Sequence, residues 1–533
     1  MDAKQIEAVA ASYPSPPGIK HTFGTAGFRA NADTLDRVFF TVGLLAVLRS
    51  KKLAGQTIGV MVTASHNPAQ DNGIKLVDPQ GEMLASSWES HATVLANSAD
   101  LPSSLTQIID SETIDFKQPA KLILGHDTRP SCARLIKAFK DAVKALDPSA
   151  QILESGLKTT PQLHYLVKCI NDGGVYGAPT EEGYYKKLSD AFIALNAETK
   201  TPYTLMVDCA NGVGGPKLES MQVYLKDSPL RLKLSSTDVN SSEKLNKDCG
   251  ADYVKTTQSA PSGVSLEPLA RACSFDGDAD RIVYYYYSEK KSFRLMDGDK
   301  IATLVASYIK QLVELESAEI KDHLRIGVVQ TAYANGNSTR YIKDQLGLAV
   351  TCTPTGVKHL HHAAQTFDIG TYFEANGHGT VVFSEALLKR LPASSKLLSL
   401  AGLINQTVGD SMSDMLLVET ILNARGWGMA EWDAKYEEHP NRLVKVIVSD
   451  RHAFVTEDAE RVLVKPDGMQ LKINQIVANY PSARSFVRPS GTEDCVRVYA
   501  EAGTKEATDE LAYKVAGMVF EFCGKGEKPK EFL

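Results

Sequence analysis

The chain has few cysteines, no excess of positive charge and no long apolar run, and each lack removes a class of protein. Its 533 residues include only eight cysteines, scattered without a Cys-x-x-Cys pair. A disulfide framework or a zinc site is not expected, and a reducing cytoplasm is the expected location. Lys and Arg number 58 against 64 Asp and Glu, a net charge of -6. That balance provides no broad basic face, so no nucleic-acid partner is expected. No stretch approaches the roughly 18 apolar residues of a membrane span. The opening Met1 to Gln5 lacks the charged-then-apolar pattern of a signal peptide, so no membrane partner is expected either. Repeats with a period of about 20–50 residues are also missing.

What is present reads as a large globular chain of several domains. Hydrophobic residues make up 43% and charged residues 23% of a chain too long for one hydrophobic core. Short apolar runs at Ile58–Val62, Leu122–Gly125, Leu205–Val207, Ile326–Val329 and Val444–Val448 predict strands. Helical patterns follow many such runs, as at Cys132–Leu146 and Ile301–Leu315. This alternation predicts an α/β fold with parallel or mixed sheets. The polar segments Ser259–Ser265 and Ala430–Asn441 read as loops, the second as a domain boundary.

Four segments carry chemistry. Thr63-Ala64-Ser65-His66-Asn67-Pro68 follows a predicted strand, where open α/β sheets present ligands. Ser65 there is either a nucleophile or a helix cap, and Asn67-Pro68 suits a turn or a first helical turn. The nearby Lys75 is either functional or a solvated side chain. No flanking glycines form a hydrolase elbow, so acyl transfer is disfavoured. In Phe275-Asp276-Gly277-Asp278-Ala279-Asp280-Arg281, three carboxylates at alternate positions suit one hard cation. Arg281 and Tyr287 occupy the positions where an EF-hand needs Gly and Glu. Phe373-Glu374-Ala375-Asn376-Gly377-His378-Gly379 offers donors and acceptors for sugar hydroxyls, unless it is a plain β-turn. Arg488-Pro489-Ser490-Gly491-Thr492-Glu493, with Arg497 on the following strand, has the composition of a phosphate clamp.

That set, in that order, resembles the α-D-phosphohexomutase superfamily. Its hallmarks are a Ser-His-Asn-Pro loop, an Asp-Gly-Asp-x-Asp-Arg loop, a sugar loop with Glu and a C-terminal phosphate loop. Phe23 to Arg29 and Gly125 to Ser131 also match, although His126 stands where an Arg is more usual. Within the superfamily the chain is similar to the eukaryotic N-acetylglucosamine phosphate branch. Phe373 and Asn376 depart from the Gly and Ser of glucose and mannose enzymes, while Glu-Ala-Asn-Gly-His and Pro354 to His359 follow the branch.

The resemblance implies a four-domain, heart-shaped phosphohexomutase fold: three related mixed-sheet α/β domains and a smaller C-terminal α+β domain around a central cleft. The expected divisions are 1–190, 191–296, 297–430 and 431–533. Ser65 would carry the phosphoryl group and, with Asp276, Asp278 and Asp280, hold one Mg²⁺. Thr355, Gly356, Glu374, Asn376 and His378 would meet the sugar. Arg488, Ser490, Gly491, Thr492 and Arg497 would hold the non-reacting phosphate. Proton transfer would fall to Lys75 or His66, with Arg29 and Arg281 as electrostatic helpers.

The implied reaction interconverts N-acetylglucosamine 6-phosphate and 1-phosphate through a sugar 1,6-bisphosphate, which also serves as activator. The expected partner is a small sugar phosphate, and the expected assembly a monomer or weak dimer. Glucose or mannose phosphate mutase activity is the alternative, and a phosphoserine-type sugar phosphatase a more distant one.

Overall fold

A computed structural model of the chain describes residues 2–24, 27–490 and 494–532. They belong to two compact units. One comprises Met1–Gly298, Asn376–Val381 and Leu391–Ala430; the other comprises Asp299–Ala375, Val382–Arg390 and Glu431–Leu533.

The first unit contains two five-stranded mixed sheets. In the first sheet, every residue of the strand Thr57–Val62 is buried, consistent with its apolar Thr-Ile-Gly-Val-Met-Val sequence. It runs parallel to Lys121–His126 and antiparallel to Asp71–Val77, with Met61 opposite Lys75. Phe28–Asn31 and Gln151–Leu157 are the edge strands. The helices Asp36–Lys52 and Cys132–Leu146 pack on each other beside this sheet. A Cβ on Gly43 would come within 2.5 Å of the Phe139 carbonyl, so glycine permits that close approach. Phe39, Phe40, Leu135 and Phe139 lie in the core that results.

In the second sheet Tyr203–Asp208 runs parallel to Leu230–Ser235 and Ala272–Phe275. Ala272–Phe275 pairs antiparallel with Ile282–Tyr287, Phe275 facing Ile282. Residues 276–281 therefore close a hairpin, and the three aspartates are confined to its tip.

In the second unit, Ile326–Thr331 has parallel neighbours Ala349–Thr353 and Ile369–Phe373. A separate antiparallel sheet places Cys495–Glu501 between Asn441–Ile447 and Arg484–Pro489. The helix Lys505–Cys523 packs on it, burying Val487, Val496 and Val498 with Leu511 and Val515.

The α/β expectation holds. The helix Cys132–Leu146 has the expected bounds, and the expected strands each appear with ends shifted or extended by a few residues. The other expected helix spans Gly298–Val313. Two details differ from the sequence reading. No helix starts at the Ser65 loop; Asn67 and Pro68 turn the chain into the antiparallel strand Asp71–Val77. Ala430–Asn441 is not wholly a loop, because a short helix, Met429–Asp433, occupies its start. Trp432 anchors that helix: its ring is buried and its Nε1 donates to the Lys300 carbonyl at 3.3 Å. One buried indole outweighs the polar composition around it. Among the described residues, no helix is long and apolar enough to cross a membrane.

Candidate active site

Ser65 lies just past the end of the strand Thr57–Val62, buried and in the left-handed region with φ +52°. A non-glycine residue there is strained by about 1–3 kcal/mol and persists only where its surroundings fix it. The Ser65 N–H donates to Thr63 Oγ1 at 2.9 Å, and that hydroxyl donates to Asp127 at 2.7 Å. Arg129 spends its whole fork on the same loop. Its Nε donates to Asp127 at 3.0 Å, Nη1 to the carbonyls of Pro68 and Asp71, and Nη2 to those of Ser65 and Asn67. Asn246 Nδ2 reaches the Ser65 and Asn67 carbonyls as well, at 2.9 and 3.1 Å. The loop is thus held by its backbone, which leaves the Ser65 side chain free for other contacts.

That side chain faces the aspartate hairpin. Ser65 Oγ donates to Asp276 Oδ2 at 2.6 Å, and Asp276 Oδ1 accepts the N–H groups of Asp280 and Arg281. Asp276, Asp278 and Asp280 are all buried, each offering an oxygen within 4.8 Å of the others. Thr160 Oγ1 donates to Asp278 Oδ2 at 2.6 Å. Asp278 Oδ1 is buried without a hydrogen-bond partner among the described residues. Burial, followed by the charges of Asp280 and Asp278, pushes the Asp276 carboxyl well above the usual range. Burial acts on Asp280 in the same direction, but His378, Lys75 and Arg281 override it and hold that carboxyl low. Three buried oxygen donors, one unpartnered and one driven to take up a proton, fit a hard divalent cation such as Mg²⁺.

Basic side chains surround this centre. Lys75 Nζ lies 3.4 Å from Asp278 and 3.5 Å from Asp280. His378 Nδ1 lies 3.3 Å from Asp280, and Arg281 Nε lies 3.9 Å from Asp276. Arg29 Nη1 donates to Asn67 Oδ1 at 3.4 Å. Burial, with Arg281, Arg29 and Arg129, lowers His66 to about 2. Its ring is therefore neutral in a pocket of guanidinium groups suited to an anion. The Asn376 side chain accepts the His378 N–H at 3.0 Å. Between them Gly377 has φ +89° and its carbonyl accepts the Ile282 N–H. A Cβ there would lie 1.9 Å from the Ile282 carbonyl, so only glycine lets this loop pass the hairpin.

The first unit thus brings together Ser65, His66, Lys75, Arg29, Arg281, the three aspartates, Asn376 and His378. Thr355, Gly356, Glu374, Arg488, Ser490 and Arg497 belong to the second unit. Within it, Thr355 and Arg488 meet at the carboxylate of Glu460. Arg488 stands directly opposite Arg497 in the antiparallel ladder, a like-charge pairing that an anion would relieve. Gly491 and Thr492 lie outside the described residues, as do Thr25 and Ala26 of the N-terminal motif.

Sequence reasoning missed Arg129, Asn246, Thr160 and Glu460 as contributors. Only Arg129 had a signal, its place in Gly125 to Ser131; the contacts of the others depend on tertiary structure.

Comparison with known proteins adds a family. The descriptions "Phosphoacetylglucosamine mutase AMG1, domain II" and "domain III" match residues 177–283 and 297–427. The α/β/α domain I and the C-terminal domain of the phosphoglucomutase/phosphomannomutase description match 41–103 and 443–518. The chain is 51% identical to the phosphoacetylglucosamine mutase of Sus scrofa, with 99% of each chain covered. A solved Aspergillus fumigatus N-acetylphosphoglucosamine mutase in complex with GlcNAc-6P and magnesium superposes with a TM-score of 0.92. It is 52% identical, covering 97% of this chain and 98% of that one. A serine-to-alanine variant of the Aspergillus fumigatus protein in complex with glucose 1,6-bisphosphate gives a TM-score of 0.93 at 50% identity, covering 98% and 99%. With four family descriptions along its length and half its residues identical to a full-length relative, the chain belongs to the phosphoacetylglucosamine mutase family.

Proposed function

We propose that this chain interconverts N-acetylglucosamine 6-phosphate and N-acetylglucosamine 1-phosphate, with Ser65 carrying the phosphoryl group. The observation that carries the reading is the Ser65 hydroxyl 2.6 Å from Asp276, within a buried triad of aspartates. Phosphoserine 65 gives its phosphoryl group to the free hydroxyl of the sugar monophosphate. The 1,6-bisphosphate turns round and returns its other phosphate to Ser65, leaving the isomer. Free bisphosphate restores any chain that has lost its phosphate, and so acts as activator.

Asp276, Asp278 and Asp280, with a phosphoserine oxygen, would hold one Mg²⁺, which offsets charge on the transferring group. Lys75, once it has given up a proton and carries a neutral amine, takes the proton of the attacking hydroxyl, and the Ser65 oxygen regains one on departure. His66, held near 2, is too weak a base for that role. Arg29 and Arg281 balance the phosphoryl charge from the sides. Thr355, Gly356, Glu374, Asn376 and His378 read the sugar, Asn376 favouring an N-acetylated one. Arg488, Ser490, Gly491, Thr492 and Arg497 grip the distal phosphate. These tasks divide among segments 1–190, 191–296, 297–430 and 431–533. The protein works in the cytoplasm as a monomer or weak dimer and supplies the sugar 1-phosphate for UDP-N-acetylglucosamine synthesis.

The test is turnover of N-acetylglucosamine 6-phosphate with Mg²⁺ and a trace of bisphosphate, run beside glucose and mannose 6-phosphates. Preferential formation of the 1-phosphate, lost in Ser65→Ala, is the expected result. Faster turnover of glucose or mannose overturns the sugar assignment. Release of inorganic phosphate without an isomer overturns the mutase reading.

A further inference from the structure

The turn between the strands Val455–Glu457 and Val462–Lys465 contains three successive left-handed residues, none of them glycine. Asp458, Ala459 and Glu460 have φ of +51°, +53° and +67°. Side chains with a Cβ resist this conformation, and a run of three needs compensation. The contacts of Glu460 supply it. Glu460 Oε2 accepts from the N–H and Oγ1 of Thr355, at 3.0 and 2.6 Å, and from Arg488 Nη1 at 3.2 Å. Arg488 is fixed on its other sides by the Pro489 carbonyl, 3.3 Å from Nε, and the Tyr333 ring, 5.8 Å from the guanidinium carbon.

One carboxylate oxygen therefore gathers donors from two segments far apart in sequence. We infer that Glu460 is a positioning residue, tying the Thr355–Gly356 loop to the Arg488 guanidinium so that both are preset for a sugar phosphate. The inference rests on the roles given above to Thr355 and Arg488. Glu460 acts through them and not on the ligand, because a carboxylate repels a phosphate. Its bonds also restrict side chains that would otherwise lose rotamer freedom on binding, and removing that loss tightens binding.

The test uses the full-length protein and the isosteric Glu460→Gln, which can keep the shared oxygen but removes its charge and so weakens the hold on Thr355 and Arg488. The expected result is a KM for N-acetylglucosamine 6-phosphate raised about tenfold, with kcat within about twofold and the Mg²⁺ titration unchanged. Thr355→Val, which removes the shared hydroxyl, should raise KM similarly, while Thr355→Ser should restore it. The double variant Glu460→Gln/Thr355→Val should be no worse than about tenfold, because both changes break one unit. Calorimetric binding of the same sugar phosphate should show the same loss without needing turnover. A wild type that binds but does not isomerise fails the proposed function and leaves this inference standing. An unchanged KM and Kd in Glu460→Gln, a tighter Kd, or fully multiplicative effects in the double variant would each overturn it.

Discussion

Ser65 Oγ donates a 2.6 Å hydrogen bond to Asp276, a carboxyl that burial and two neighbouring aspartates drive towards protonation. Phosphorylating Ser65 would replace that neutral donor with about -1.5 to -2 charges beside the same carboxyl. Beside three buried aspartates that added charge calls for more than Lys75 and Arg281 supply, and a divalent cation on the triad would provide it. Chelation of divalent cations should abolish turnover, and added Mg²⁺ should restore it. Asp276→Asn should lower kcat by about 10²–10³-fold and raise the Mg²⁺ concentration needed for half-maximal activity. Full activity in EDTA-treated, metal-free protein would refute this account.

Arg129 makes a different prediction, because it supports Ser65 without facing the aspartates. Arg129→Met strands Asp127 as a buried, unpaired carboxylate and should cost about 3–5 kcal/mol of stability. Arg129→Lys keeps the charge but not the planar fork, and should take the guanidinium donor from four backbone carbonyls, of which those of Ser65 and Asn67 keep the Asn246 amide. Its melting temperature should lie between those of wild type and the Met variant, with kcat reduced about 10–100-fold. Wild-type kcat in Arg129→Lys would show that the loop holds its shape by other means.

The role proposed for Asn376 makes a prediction about sugar choice. Asn376→Ser restores the side chain typical of glucose and mannose enzymes. It should shift the ratio of kcat/KM for N-acetylglucosamine 6-phosphate over glucose 6-phosphate towards glucose by about tenfold. Competition assays with both sugars in one tube would read the ratio directly, and an unchanged ratio would remove Asn376 from the specificity set.

Asp414 yields a pH prediction away from the chemistry. It lies within the helix Ser411–Arg425, fully buried, and neither carboxylate oxygen has a hydrogen-bond partner among the described residues. Burial, then the charge of Asp410, raises its carboxyl well above the ordinary 3.8. Between 3.8 and that raised value the folded chain keeps a proton that the unfolded chain has released. Stability from this group is therefore complete below 3.8 and is lost as pH rises towards the folded value, by up to about 1.4 kcal/mol per pH unit. Asp414→Asn removes that slope. Melting temperatures from pH 5 to 8 should fall more steeply for wild type than for the variant, and parallel curves would refute the assignment.

The fold and the reacting centre were legible to different degrees. Strands such as Thr57–Val62 announce themselves because burial on both faces demands an unbroken apolar run. The aspartate hairpin was legible because alternate carboxylates are costly without a shared ligand. The sequence after Ser65 does not decide its own turn, since Asn-Pro serves a turn or a helix start equally well. The short helix at Trp432 was hidden, because a single buried side chain decided it. Arg129, Asn246 and Glu460 were hidden for another reason. Each acts on backbone carbonyls or on groups far away in sequence, and such pairings leave no local pattern.

The first unit is discontinuous: it draws Asn376–Val381 and Leu391–Ala430 back to a body made from the first 298 residues. Ser411 donates its N–H to the Ala279 carbonyl and its hydroxyl to that of Arg281, while Gly377 accepts from Ile282. Ribosomes deliver a chain from its N-terminus, and domains tend to fold in that order. Here Ser65 and all three aspartates emerge well before the residues that brace their hairpin. A nascent chain of 298 residues holds every group of the candidate centre in the first unit except Asn376 and His378, with the Gly377 and Ser411 contacts to the hairpin still unmade. On that order the candidate centre would complete its bracing only once residue 411 has been made, although Arg29, Ser65, His66 and Lys75 lie within the first 75 residues.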